Sequence, residues 1–438
     1  MQDAADAVFG AGVPELAYHV ADEKRCWYGV RTEREKLGFA CGRAKVARTM
    51  RGVEAYLDNA ATAKPYPEVV EVVRAAMADG FGNASAAHAR GCRAHELLER
   101  SRRTLADALR VVPAEVYFTS GGTESNNLAI VGACRAVRAE RDEVVASAVE
   151  HPSVTKTVRG LKREGWKVGY VGAKDGNLDM RALRAKLNAR TALVSVMSVQ
   201  NEVGFKLPVR EVVRARDELA PAALVHTDAV QAFGKIEFKP RDLGIDLASM
   251  SGHKIGGPQG IGALYVREGT RMFTTAFGGG HERGLRSGTE AVSLIAGFAK
   301  AVEITLGRRE EAEARVSALK RLLLDGVLAV RPDVVVNSRD DGSPYIVSFS
   351  VPEMSNDDML AFLDERKVYV SKSSACETLH PDVPDEDWRT KHPMSLQLAG
   401  VPKDMIESTL RVSFSQQSTE EDVGRFLEGF RAFFERER

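Results

Sequence analysis

At 438 residues, 44% apolar and 28% charged, the chain exceeds the usual ceiling for one hydrophobic core, so two domains are expected within an ordinary globular composition. Lysine plus arginine equals aspartate plus glutamate at 61 each, and no net field draws the protein to nucleic acid or to an acidic membrane surface. The five cysteines, Cys26, Cys41, Cys92, Cys134 and Cys376, are scattered without a CxxC pair, which argues against a zinc ribbon or a disulfide framework.

No stretch reaches the roughly 18 apolar residues of a membrane span. The first residues lack the basic start and apolar core of a secretory signal, so a reducing, cytoplasmic setting is expected. Residues 1–52 differ from the rest, with Lys24, Arg25, Arg31, Arg34, Lys36, Arg43, Lys45, Arg48 and Arg51 among few acids. Charge runs are usually solvated. The segment reads as an N-terminal extension outside the catalytic fold, with a targeting or partner-binding arm as the alternative.

From Thr104 onward, short apolar runs alternate with amphipathic stretches. Glu115–Ser120, Glu143–Ala148, Leu193–Val199, Ala223–Thr227 and Ile245–Met250 are expected as buried strands, with helices over Asp179–Leu187 and Pro208–Leu219. This alternation predicts an α/β fold whose mostly parallel sheet is covered on both faces. After about residue 310 the order changes: a long helix, a strand over Pro344–Val351, a helix over Asp357–Lys367, strands over Val368–Ser371 and Leu410–Ser415. A last helix is expected from Ser418, with Ser418 and Glu421 as a capping box. That order predicts a smaller α+β domain.

Four segments at presumed strand ends have the composition of a phosphate-bearing cofactor site. In Ser120–Asn127 (SGGTESNN), glycines admit close approach, and the helix start with the Thr123 hydroxyl can hold a phosphate; a Gly-Gly turn before a helix is also a common structural feature. Asp228, in HTDAVQ, can pair with a protonated pyridine nitrogen or cap a helix. Lys254, in SMSGHKIGGP, can be desolvated into a Schiff-base nucleophile, or be a turn lysine; Ser251 and His253 beside it could add phosphate contacts. Gly278–Thr289 (GGGHERGLRSGT) suits an anionic ligand, a tight inter-subunit loop or a flexible surface loop. Recurrence at strand ends, where α/β ligands sit, gives the four together more weight than any one.

The segments YLDNAAT (56–62), FGNAS (81–85), TSGGTESNNLAI (119–130), EHPSV (150–154), QNEVG (200–204), HTDAVQAFGK (226–235), SGHKIGGPQGIGALYV (251–266), GGGHERGLRSGTE (278–290), SSAC (373–376) and LRVSFS (410–415) occur in one order. In that order the chain resembles the class V aminotransferase group of fold-type-I pyridoxal 5'-phosphate (PLP) enzymes, and closely the cysteine desulfurases. The resemblance implies a large PLP-binding domain over residues 65–310 with a mostly parallel seven-stranded sheet. It also implies a smaller α+β domain from residues 53–64 and 311–438 carrying a catalytic cysteine loop.

The roles it implies are specific. Lys254 would carry PLP as a Schiff base, Asp228 would pair with the pyridine nitrogen, and His151 would stack on the ring and help move protons. Asn201 and Gln231 would bond the ring and its phenolic oxygen. Gly122, Thr123, Ser251 and His253 would hold the phosphate, with Thr289 reaching in from a neighbouring subunit of a homodimer. Arg411 would clamp the substrate carboxylate, for which a guanidinium fork is suited, and Asn59 would lie near the substrate.

Cys376 sits among small polar residues, where a thiol can be exposed and mobile; Cys92 and Cys134 read as packing residues. The family's usual SSGSAC is SKSSAC here, so Lys372 could favour a thiolate while the lost glycine could stiffen the loop. The following stretch, to about Gly400, is longer than usual and holds His380, Trp388 and His392. The reaction implied is conversion of L-cysteine to L-alanine, with sulfur passing to Cys376 as a persulfide. From there it would go to an acceptor protein of iron–sulfur cluster assembly or another thiolation pathway. A selenocysteine lyase, another class V lyase or aminotransferase, and a non-catalytic scaffold remain the alternatives.

Overall fold

A computed structural model describes residues 54–174, 176–372, 394–398 and 400–436. The basic segment 1–52 with Cys26 and Cys41, and residues 373–393 with Cys376, His380, Trp388 and His392, lie outside the described residues.

Seven of the apolar runs form one sheet: β1 (Val116–Thr119), β2 (Glu143–Ser147), β3 (Lys167–Val171), β4 (Thr191–Ser195), β5 (Leu224–Asp228), β6 (Leu247–Ser251) and β7 (Gly262–Val266). Their order across the sheet is β1-β7-β6-β5-β4-β2-β3. The pairs β2–β3, β2–β4, β4–β5 and β5–β6 are parallel, whereas β7 is antiparallel to both its neighbours. The reason is length. Residues 252–261 are too few for the crossover of a dozen or more residues that a parallel return requires, so the chain turns straight back, and that turn carries Lys254.

Strands β4, β6 and β7 are buried at every position, as expected for a sheet covered on both sides. Successive residues point to opposite faces. Val145, Val194, Val225 and Ala263 enter one core with Leu98, Leu105 and Phe298 from α1 (Ala89–Leu109) and α4 (Val292–Gly307). Val144, Leu193, Leu247 and Leu264 enter the other with Leu128 and Val154 from α2 (Gly122–Ala136) and α3 (Pro152–Arg163).

A second, antiparallel sheet consists of β8 (Val335–Val336), β9 (Ile346–Ser350) and β10 (Thr409–Ser413). Helices α5 (Arg309–Val330), α6 (Asn356–Asp364) and α7 (Glu420–Glu435) pack on it. Its centre is aromatic: Phe349 meets Phe426 and Phe430 edge-on, at ring-centroid distances of 6.4 and 6.1 Å. Ala55–Tyr56 pairs in parallel with Val368–Tyr369, and Ala55 and Leu57 join this core. The segment that opens the described chain thus belongs with its far end.

Three expectations change. The capping box of α7 is formed one residue later than expected: Thr419 N–H donates to Asp422 Oδ2 at 2.8 Å and Asp422 N–H to Thr419 Oγ1 at 3.2 Å. The Ser418 hydroxyl instead accepts from Ser415 N–H at 3.0 Å. Strands β3 and β7 were not foreseen; β3, as the edge strand, carries Lys167 and Gly169 and is partly exposed, which dilutes the apolar signal. Cys134 is buried, but Cys92 is exposed and fills no core.

Within the glycine-rich segment 278–289, Glu282 is the buried anchor. Glu282 adopts φ 47° and Arg283 φ 55°, left-handed conformations that cost side-chain-bearing residues energy. Buried Glu282 receives Arg102 through two bonds, Nη1–Oε2 at 2.7 Å and Nη2–Oε1 at 2.9 Å, and accepts Phe118 N–H at 2.8 Å. Glu282→Ala would remove the bidentate partner of the buried Arg102 guanidinium, leaving it Glu99 at 3.0 Å and the Val116 carbonyl at 2.8 Å. Urea unfolding should then show a loss of about 3–5 kcal/mol.

Candidate active site

The functional side chains gather where β5 and β6 end, and the hydrogen-bond geometry begins with an amide. Asn126, on the buried face of α2, donates through Nδ2 to Asp228 Oδ2 at 2.7 Å and to Ser153 Oγ at 2.8 Å. Asp228, the last residue of β5, also accepts Val230 N–H on Oδ1 at 2.9 Å. Both carboxylate oxygens are therefore held, and the group is oriented by two different elements.

His151 caps α3. Its Nδ1 accepts Ser153 N–H at 3.1 Å and lies 2.8 Å from Ser153 Oγ. An accepting Nδ1 leaves the ring hydrogen on Nε2. Burial lowers the His151 pKa, opposed by Asp228 and aided by the positive charges of Lys254 and Lys156; the ring is neutral at physiological pH. Next to it, Glu150 is buried and its pKa is pushed up to about 8, mainly by desolvation. It accepts Ser147 Oγ–H at 2.5 Å and Met197 N–H at 2.6 Å, tying the end of β2 to that of β4. Glu150 is a buried structural strut.

Lys254 lies in the short 3-10 turn Gly252–Ile255 between β6 and β7. Its Nζ donates to the carbonyls of Ala60 and Ala61 at 2.6 and 2.8 Å. His253 Nδ1 is 3.1 Å from Thr62 Oγ1, and its pKa is pulled down to about 4 by burial and then by the charges of Lys254 and Lys235. Gln231 donates from Nε2 to the same Ala60 carbonyl at 2.9 Å and accepts on Oε1 from Lys235 at 2.7 Å.

The donor set suits a phosphate. Gly121 has φ 153°, and α2 starts at Gly122, where the first N–H groups of a helix lack partners within it. A Cβ at Gly122 would stand 2.7 Å from Val230 Cγ2, so glycine is required there. Thr123, exposed on the first turn, and Ser251 Oγ, buried without a partner, add hydroxyls. Asn126 Oδ1 is likewise buried without a partner. Buried polar atoms left open in this way mark a place where a ligand completes the network.

Arg411, in the middle of β10, is buried. Its Nη2 meets Asp58 Oδ1 at 2.8 Å, Nη1 donates to the Asn201 carbonyl at 3.1 Å, and Nε has no partner. Burial raises the Asp58 pKa against the pull of Arg411. The main chain of Arg411 pairs reciprocally with Ser371, at 2.6 and 3.1 Å, so the root of the segment leading to Cys376 shares a ladder with the guanidinium.

Other expected residues take simpler positions. Asn59 is buried and gives its amide hydrogens to the carbonyls of Tyr56 and Ser413, a tie between the first described segment and β10. Asn201 is buried beside Arg411. Thr289 is exposed, and the arginines of its loop are engaged elsewhere: Arg286 with Glu124 at 2.9 Å, Arg283 over the Tyr117 ring at 4.1 Å. Lys372 pairs with Asp357 at 2.6 Å. Cys376 lies outside the described residues.

The model of the family "Aminotransferase class-V" matches residues 55–426. The chain belongs to that family. A "NifS/IcsS protein homolog" of Lactobacillus delbrueckii subsp. bulgaricus is 36% identical over 379 residues, 86% of this chain and 96% of the relative. A human protein named "Cysteine desulfurase" is 35% identical over 380 residues, 85% of this chain and 80% of the relative. A solved structure titled "NIFS-LIKE PROTEIN" superposes with a TM-score of 0.81 at 31% identity, covering 87% of this chain and all of that one. Within this family of fold-type-I enzymes, the seven-stranded sheet presents its strand ends to the cluster described above.

His226, two residues before Asp228, bridges three strands through Ser195 Oγ at 2.9 Å and Ser249 Oγ at 3.0 Å. Complete burial pulls its pKa from 6.5 down to about 3. Below pH 6.5 the unfolded chain takes up a proton that the folded chain refuses, so stability falls as pH drops through that window. His226→Gln should remove about 2 kcal/mol of the stability difference between pH 7 and pH 5, measured by urea unfolding at both values.

Proposed function

We infer that the protein is a cysteine desulfurase that uses pyridoxal phosphate to move sulfur from L-cysteine to Cys376, releasing L-alanine. The observation that carries this reading is the meeting, at one set of strand ends, of Lys254, the doubly held Asp228 and the open phosphate-type donors, with a buried guanidinium whose ladder runs to the cysteine segment. The 35% identity to the human protein named cysteine desulfurase supports the same substrate.

Pyridoxal phosphate, when bound, supplies an aldehyde that links to amines and a ring that accepts electron density from the substrate's Cα. The residues of this chain do the rest. Lys254 would hold the coenzyme covalently and, once displaced by the substrate amine, carry the proton to and from Cα. Asp228, fixed by Asn126 and Val230 N–H, would keep the proton on the ring nitrogen. His151, neutral and protonated on Nε2, would cover the ring and pass protons. Gly122, Thr123, Ser251 and His253 would hold the phosphate, with Thr289 contributed across a homodimer. Gln231 and Asn201 would contact the ring and its phenolic oxygen.

Arg411 would bind the substrate carboxylate with Asp58 keeping the fork in plane, and Asn59 would fix the adjoining backbone. The Cys376 thiolate attacks the substrate sulfur; the carbon–sulfur bond breaks and its electron pair goes to Cβ, which is protonated to give alanine. The persulfide on Cys376 then passes to an acceptor protein of cluster assembly or thiolation. Lys372 is engaged by Asp357 at 2.6 Å. The large domain over 65–310, the small domain from 53–64 and 311–438, and a cytoplasmic setting complete this reading. Among the described residues no helix is long and apolar enough to cross a membrane.

After incubation with L-cysteine, mass spectrometry of the Cys376 peptide should reveal one added sulfur atom. Cys376→Ala should abolish the added sulfur and the alanine release that accompanies it. In Lys254→Ala, borohydride should no longer fix the coenzyme to the chain. Retained fixation in that variant would remove Lys254 from its role.

A further inference from the structure

A lysine with 3% exposure is an unusual thing to place beside a cationic site. Lys235 lies in the turns after β5, and its ammonium donates to Gln231 Oε1 at 2.7 Å. The Tyr345 ring is 5.9 Å away. Among the described residues no carboxylate pairs with Lys235, and the charged groups that act on it, Lys254 and Arg411, are both positive. With burial as the largest cause, its pKa is pulled down to about 7. A methionine would fill this space without the desolvation cost of a cation, so the amine needs a reason to be here.

The reason lies in its partner. The two ends of a glutamine amide have almost the same shape, and only neighbouring donors and acceptors decide which end points where. For Gln231 the neighbours are decisive on both sides. Lys235 offers hydrogens and claims the oxygen, while the carbonyl of Ala60 offers lone pairs and claims one hydrogen of the nitrogen at 2.9 Å. Ala60 is also the resting acceptor of Lys254.

We propose that Lys235 is a positioning residue: by holding Gln231 Oε1 it turns the amide so that its nitrogen faces Ala60 and the Lys254 amine. One amide hydrogen is taken by Ala60; the second is presented toward the Lys254 side of the site. This rests on the reading that Gln231 contacts the coenzyme, for a donor in that place suits the ionised phenolic oxygen and an amide oxygen there would repel it. Without Lys235 only the Ala60 carbonyl holds the amide's orientation, and the oxygen end has no donor to fix it.

A double-mutant cycle tests the link, read as the dissociation constant of pyridoxal phosphate for the apoenzyme and as apoenzyme melting temperature. Uptake by the wild-type apoenzyme checks the underlying coenzyme reading independently. Lys235→Met and Gln231→Ala should each weaken uptake about tenfold. The double variant should be within about twofold of Gln231→Ala alone, because a residue acting through another adds nothing once that other is gone. Effects that multiply, or no change in Lys235→Met, overturn the proposal.

Gln231→Glu decides the matter if Lys235→Met does not fold. Its carboxylate would still be held by Lys235 in the apoenzyme, yet only oxygens would face the site. Coenzyme uptake should weaken at least as much as in Gln231→Ala, and wild-type uptake in Gln231→Glu overturns the proposal.

Discussion

One side-chain amide holds the centre of this protein together. Asn126 reaches from a helix on one face of the sheet to the carboxylate that ends β5 and to the hydroxyl that steadies His151. Without it, Asp228 would keep a single backbone donor and His151 would lose the group behind its serine. An amide serves better than a cation here because it donates twice without adding charge. Asp228 stays oriented, free to answer a proton on a ligand rather than one on a neighbouring arginine.

The reversal of β7 is the second constraint. A parallel β7 would need a long crossover, and Lys254 would then sit on a mobile excursion. The short connection keeps the lysine in a single 3-10 turn, with the Ala63 N–H bonded to the His253 carbonyl at 2.8 Å. The residues around Ala60 return the favour: they belong to the segment that also pairs with β10, where Asn59 reaches the Ser413 carbonyl. The lysine and the glutamine thus bond to the backbone of residues 60 and 61, and the guanidinium to the side chain of Asp58 in the same stretch.

Much of this was legible in the chain, for identifiable reasons. Strand ends next to glycine-rich turns announce themselves locally, so Gly122, Asp228 and Lys254 stand out, and so do the buried strands with unbroken apolar runs. What escaped was pairing across distance. Asn126 and Asp228 are 102 positions apart, Asp58 and Arg411 353, and nothing in either neighbourhood names the other. Lys235 escaped for a different reason: in a chain with 61 basic residues, a lysine four places after a glutamine carries no mark of burial. The α7 cap was displaced by one residue because Ser418 and Thr419 are both competent caps, and the hydrogen bond from Ser415 to the serine settles the choice.

The resting place of Lys254 has an implication for sequence drift. Its two acceptors are peptide oxygens, and no exchange of side chain can delete a peptide oxygen. Positions 60 and 61 can therefore vary in chemistry without unseating the amine, provided the replacement is small enough for the nearly closed space around Ala60. What the cradle demands of its sequence is bulk, not functional groups, and the lysine's berth is in that sense written into the main chain itself.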